Sequence, residues 1–102
     1  MYEFVKVATT QEVAPGRCKT VEVSGSRIAL FNASGRFYAM DDTCTHLGGP
    51  LGEGTLDGAI VTCPWHGWQY DVSTSACQAN PRIRLTCYEV RIDGDDVAIA
   101  LK

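Results

Sequence analysis

The stretch CTHLGGPLGEGTLDGAIVTCPWH, residues 44 to 66, holds both histidines of this 102-residue chain and two of its five cysteines. They form two mixed pairs, C-x-H at Cys44 and His46 and C-x-x-H at Cys63 and His66, with sixteen residues between the pairs. Two thiolates and two imidazoles suit a tetrahedral zinc site, or a two-iron, two-sulfide cluster in which two histidines replace two cysteines. Zinc fingers usually pair like ligands, so the mixed pairs favour the cluster.

The rest of the chain has an apolar pattern of period two, which indicates half-buried β-strands. In YEVRI, the apolar residues Tyr88, Val90 and Ile92 alternate with charged ones, and the alternation resumes over 97–101 after the turn signal DGD. This arrangement predicts a C-terminal β-hairpin. The predicted fold class is therefore all-β.

A second hairpin is predicted from RIALFN and RFYAMD, joined through residues 33–35, where Gly35 can take the positive φ of a short loop. Further strands are predicted for EFVKVA, KTVEV, AIVTC and WQYDV. The one helical candidate is a turn near TTQEVAPG, because a Pro-Gly pair ends it at once. Two loops interrupt this pattern: a long Gly-rich loop over 42–58 and a tight turn over 63–68, which carry the two Cys–His pairs.

Size and composition indicate a single domain over residues 1–102. The chain has a net charge of -3 and nine scattered Lys and Arg residues, which argues against nucleic-acid binding. The sequence shows neither a secretion signal nor an apolar run of roughly 18 residues, so we expect a cytoplasmic protein that does not enter membranes. An odd number of cysteines in a reducing compartment favours metal binding or free thiols over a disulfide scaffold.

The two motifs CTH and CPWH, at this separation, closely resemble those of the Rieske ferredoxins. The resemblance implies a Rieske fold, an antiparallel β-sandwich base with a two-loop cluster-binding subdomain, and one [2Fe–2S] cluster. It also implies that Cys44 and Cys63 hold the inner iron, and that His46 and His66 hold the outer iron near the surface. Glycines near the motifs would let backbone N–H groups approach the sulfides; these are Gly48, Gly49 and Gly67.

High-potential Rieske proteins carry an extra cysteine in each loop, and Gly49 and Trp65 occupy those positions here. The chain therefore resembles the ferredoxins of bacterial ring-hydroxylating oxygenases, or the small subunit of cytoplasmic nitrite reductases. The resemblance implies a one-electron carrier, not itself an enzyme, that links a flavin-containing reductase to a terminal oxygenase and is monomeric when free. The alternatives are a subunit bound to the nitrite reductase large subunit and a zinc-bound interaction module.

Trp68 stands where high-potential relatives carry a serine that donates to a sulfide, while Tyr70 keeps their tyrosine. Loss of one donor predicts a reduction potential in the lower part of the Rieske range of about -150 to +300 mV. For Tyr70, donation to a cluster sulfur and ordinary strand packing are equally open.

The remaining candidates surround the motifs. Leu47, Pro50 and Trp65 are predicted to form an apolar rim, for which docking of redox partners and shielding of the cluster from water are equally open. Trp68 is predicted to pack beneath the loop and Pro81 to shield the cluster. A solvated acidic face is predicted for Asp41, Asp42, Glu53 and Asp57. Small hydrophobic or inert thiol roles are predicted for Cys18, Cys77 and Cys87.

Overall fold

The computed structural model describes residues 3–23, 25–43, 49–65, 67–80 and 82–101. Ten strands and two short 3₁₀ helices, at Thr10–Glu12 and Leu51–Glu53, make up its regular structure. The strands are β1 (Glu3–Thr9), β2 (Cys18–Val23), β3 (Ser26–Ala33), β4 (Arg36–Asp41), β5 (Thr55–Asp57), β6 (Ile60–Thr62), β7 (Gln69–Asp71), β8 (Cys87–Tyr88), β9 (Val90–Asp93) and β10 (Asp96–Leu101). Within these described segments, no helix is long and apolar enough to span a bilayer.

The strands form three antiparallel sheets. Two of them, β1-β10-β9 and β2-β3-β4-β8, pack together as a base, and the third, β5-β6-β7, is a small subdomain sheet. The all-β prediction and the sandwich base with an added subdomain are confirmed.

The four-stranded sheet lies between the other two sheets, and its inner strand β3 is therefore buried on both faces. Ile28 and Leu30 face the base sheet β1-β10-β9, while Ala29 and Phe31 face the subdomain. The sequence predicted half-buried strands, and β3 differs because two separate cores share it. The core on the subdomain side contains Met40, Leu51, Leu56, Val61, Cys63, Tyr70, Val72, Cys77 and Leu85.

Both predicted hairpins are present. Ser34 and Gly35, with φ values of 56° and 93°, form the two-residue connection between β3 and β4. Gly94, with a φ of 63°, lies in the equally short turn between β9 and β10. Left-handed backbone at these positions is why the turns contain glycine.

The segment YEVRI is not one strand, as predicted, but two. Its first part, β8, pairs with β4 in the middle sheet, whereas β9 pairs with β10 in the outer sheet. The chain changes sheets at Glu89. Ile92 lies on β9, which is an edge strand of the outer sheet, and is 46% exposed. The predicted burial of this residue is therefore wrong.

The stretch 42–58 is also more regular than the predicted loop. It contains the 3₁₀ helix Leu51–Glu53 and the strand Thr55–Asp57, which pairs with β6. These short elements form because Leu51 and Leu56 are buried in the subdomain core, a tertiary contact that a Gly-rich sequence does not reveal.

Candidate metal centre

Of the four predicted ligands, Cys63 is the one that the structure describes. The predictions for the other three ligands, and for three neighbouring residues, lie outside the described residues; these residues are Cys44, His46, His66, Leu47, Gly48 and Pro81.

Cys63 directly follows β6, and the turn after it leads into β7. Its N–H donates to the Trp68 carbonyl oxygen at 2.7 Å, which closes this turn, and Gly67 adopts a φ of 74° within it. The predicted tight turn between two strands is thus confirmed at its described residues. The side chain is 1% exposed, and its Sγ accepts a hydrogen bond from the Trp65 N–H at 3.4 Å. Donation of a backbone N–H to sulfur favours the thiolate, which is the form that binds iron.

Gly49 presses against this cysteine. A Cβ at position 49 would lie 2.7 Å from the Cys63 Sγ and 3.0 Å from Cγ of Trp65. Glycine is required here by close approach and not by backbone angle, because the neighbouring sulfur leaves no room for a side chain. The first loop, at Gly49, and the start of the second loop, at Cys63 and Trp65, are therefore in direct contact.

The helix Leu51–Glu53 is fixed against β2 in a similar way. A Cβ on Gly52 would lie 2.2 Å from the Thr20 Oγ1, and one on Gly54 would lie 2.2 Å from the Thr62 carbonyl oxygen. The Cys18 thiol donates to the Gly54 carbonyl oxygen at 3.3 Å. Burial, and then the charge of Asp42, raise the pKa of Cys18.

The prediction that the four acidic residues form one solvated face is wrong. Asp42 is 1% exposed, and its carboxylate is bonded within the protein, whereas Glu53 and Asp57 are exposed. Asp41 is half-buried; burial, and then the nearby Asp42, raise its pKa. Sequence reasoning missed the internal role of Asp42, because two adjacent aspartates before a loop look alike in sequence although one is buried and the other half-buried.

Trp65 is 49% exposed and is, with Ile92, one of two large exposed hydrophobic residues among those described. It borders a cleft of about 300 Å³, which is also lined by Arg27, Asp42, Thr43, Pro50 and Glu53. The apolar rim predicted at Trp65 and the half-buried Pro50 therefore reaches the surface. Trp68 is half-buried against the subdomain core, as predicted.

The other cysteines differ in exposure. Cys77 is buried in the subdomain core and Cys18 is half-buried, in keeping with small hydrophobic roles. Cys87 is exposed on β8, which excludes the buried hydrophobic role and leaves the other predicted role, that of an inert thiol. Within the described part of the chain, Cys18, Cys77 and Cys87 are not joined in disulfides.

The surroundings of Cys63 fit an iron–sulfur cluster. The thiol is buried, receives a backbone N–H and is faced by a glycine, and an exposed tryptophan lies two residues further along the chain. Together with a sandwich base and a three-stranded subdomain sheet, this arrangement defines an iron–sulfur protein of the Rieske type.

The chain belongs to the Rieske [2Fe-2S] domain family, whose model matches residues 3–89. It is 34% identical to Ferredoxin CarAc of Metapseudomonas resinovorans over 95% of this chain and 92% of the relative. It is 37% identical to the biphenyl dioxygenase ferredoxin subunit of Pseudomonas sp. strain KKS102, over 94% and 90%.

Solved structures agree. The Sphingomonas yanoikuyae B1 ferredoxin matches with a TM-score of 0.89 at 29% identity, covering 98% of this chain and all of that one. A chain from a complex of reduced oxygenase and oxidized ferredoxin in carbazole 1,9a-dioxygenase matches with a TM-score of 0.87 at 34% identity, covering 95% and 92%.

These findings establish the cofactor class and the role. The protein is an electron carrier with a Rieske-type [2Fe–2S] cluster, an electron-transfer component and not a catalytic enzyme. The family assignment rules out the zinc alternative. The nitrite reductase alternative is not supported, since relatives that match over most of their length are ferredoxins, several of them components of dioxygenase systems.

Proposed function

We propose that this chain is the ferredoxin component of a cytoplasmic, ring-hydroxylating dioxygenase system. It receives one electron from a flavin-containing reductase and passes it to the terminal oxygenase, acting as a monomeric single domain over 1–102. The observation that supports this proposal most directly is that Trp65 is exposed and donates its backbone N–H to the buried Cys63, because a surface for partner proteins is expected near the cluster.

We propose that Cys44 and Cys63 bind one iron and that His46 and His66 bind the other. When bound, the cluster supplies reversible one-electron chemistry. The residues of this chain exclude water from the cysteine side, through the buried Cys63 and the glycine packed on it. His46 and His66 would hold the iron through which electrons are exchanged with partner proteins.

Docking is proposed at the apolar rim of Trp65 and Pro50. Transient redox complexes bury less than about 1,200 Å², so a single exposed aromatic side chain contributes much of the affinity. Trp65 is suited to be this aromatic contact, because about half of its surface is exposed and its backbone N–H is bonded to Cys63.

Trp65→Asp is expected to slow electron transfer to the terminal oxygenase by about tenfold or more, since a buried interface aromatic typically contributes 2 kcal/mol or more. Ile92→Asp is the matched control, because Ile92 is similarly exposed but lies on β9 of the base. Stopped-flow oxidation of the reduced ferredoxin by its oxygenase measures both rates, and the visible spectrum confirms that the cluster is intact. If Trp65→Asp transfers electrons to the oxygenase as fast as Ile92→Asp does, this rim is not the docking face.

Tyr70→Phe tests whether the phenol contributes to the potential. Tyr70 is fully buried in the same core as Cys63, as a donor to the cluster would be. A hydrogen bond of 0.5–1.5 kcal/mol corresponds to about 20–65 mV for one electron, so we expect the potential to fall by tens of millivolts from a wild-type value below zero. Protein-film voltammetry decides, and an unchanged potential would leave Tyr70 with a packing role alone.

A further inference from the structure

The first loop leaves the middle sheet at Asp42, two residues before the proposed ligand Cys44. We propose that Asp42 is a positioning residue for electron transfer: its buried carboxylate holds the two ends of this loop on the sheet and keeps a fixed negative charge beside the cluster loop. The part of this proposal that concerns charge rests on the proposed ligand set, whereas the part that concerns the loop does not.

The backbone of Asp42 closes the loop. Its carbonyl oxygen accepts a hydrogen bond from the Leu51 N–H at 2.7 Å, and its own N–H donates to the Arg27 carbonyl oxygen at 3.2 Å. Residues 42 and 51 are therefore adjacent, and residue 42 is bonded to the start of β3 at Arg27.

The side chain then fixes this loop against β2. One carboxylate oxygen, Oδ1, accepts hydrogen bonds from the Thr20 hydroxyl at 2.8 Å and from the Gly52 N–H at 2.7 Å. The Gly52 bond is within a buried contact, which exists because Gly52 has no Cβ to meet Thr20. A buried N–H that loses its acceptor is costly, so this carboxylate holds the 3₁₀ helix in place.

The charge of Asp42 is only partly balanced. The other oxygen, Oδ2, lies 3.4 Å from Nε of Arg27, whose side chain is 51% exposed, while that of Asp42 is 2% exposed. Water screens the exposed arginine more than the buried aspartate, so Arg27 compensates the negative charge of Asp42 only in part. A fixed negative charge disfavours the added electron, and Asp42 is therefore expected to lower the reduction potential.

The first test compares Asp42→Asn with Asp57→Asn by protein-film voltammetry. Both remove one negative charge from the same stretch, but Asp57 is exposed. Asparagine at 42 keeps an oxygen acceptor for Thr20 and Gly52, so folding is preserved. We expect the potential of Asp42→Asn to move to more positive values, and further than that of Asp57→Asn. Equal shifts, or a shift to more negative values, would overturn the role of the charge.

The second test uses hydrogen exchange followed by mass spectrometry. Thr20→Val removes one donor to Asp42 and Thr20→Ser retains it, whereas Asp42→Ala leaves the Gly52 N–H without this acceptor. We expect exchange over 51–54 to be about tenfold faster in Asp42→Ala, faster in Thr20→Val and near wild type in Thr20→Ser. Unchanged exchange in Thr20→Val would overturn the positioning role even if Asp42→Ala does not fold. Iron and acid-labile sulfide in the wild type test the ligand set separately.

Discussion

Cys63→Ala is expected to abolish binding of the [2Fe–2S] cluster, while Cys77→Ala is expected to retain it. Both sulfurs are fully buried in the same core, so the pair separates loss of a ligand from loss of a buried side chain. Removal of the Cys77 sulfur leaves a small cavity and costs about 1 kcal/mol in the free energy of unfolding. Iron and acid-labile sulfide per chain, measured with the visible spectrum, give the result.

Cys87→Ser completes this series, since the exposed Cys87 should affect neither cluster content nor stability. Retention of two irons by Cys63→Ala would contradict the proposed ligand set. Loss of iron from Cys77→Ala to the same extent would show instead that the core, and not the ligand, determines cluster content.

Gly49→Ala is expected to lose most of its cluster. The new methyl group would lie 2.7 Å from the Cys63 Sγ and 3.1 Å from Cβ of Trp65. Neither group can move away freely, because the sulfur is buried, the proposed ligand set would hold it on iron, and the Trp65 backbone is bonded to it. Overpacking of this kind typically costs about 1–3 kcal/mol, and here it acts directly on the ligand.

The control for Gly49→Ala is Glu53→Ala, a change at an exposed position in the same stretch. It should bind the cluster fully. Cluster absorbance after anaerobic reconstitution, together with the thermal unfolding midpoint, measures both variants. A full complement of cluster in Gly49→Ala would mean that the two loops separate easily and that their contact is not needed.

Much of the fold was predictable, because period two and the turn glycines depend on local sequence. Both hairpins were placed correctly from Gly35 and from DGD. The three-residue strand β5 was missed, since its single buried residue, Leu56, leaves no pattern to detect. The break at Glu89 was missed because the alternation continues unchanged while the strand exchanges one partner for another.

At the site, the two motifs select four candidate ligands, of which the structure describes Cys63. What spacing does not contain is which polar residue faces inward. Asp41 and Asp42 are adjacent in sequence, yet one carboxylate is buried on Thr20 and Gly52 while the other is half-exposed. Such contacts depend on how β2 lies against the loop, and therefore on the tertiary structure.

The double burial of β3 separates two properties that most small proteins cannot vary independently. Ile28 and Leu30 contribute to a core remote from the redox centre, whereas Ala29 and Phe31 contribute to the core that contains Cys63. Neighbouring residues on β3 thus contribute either to the thermal stability of the base or to the surroundings of Cys63. Selection, natural or in the laboratory, can adapt this carrier to a hotter environment through the first pair while its compatibility with its redox partners stays the same.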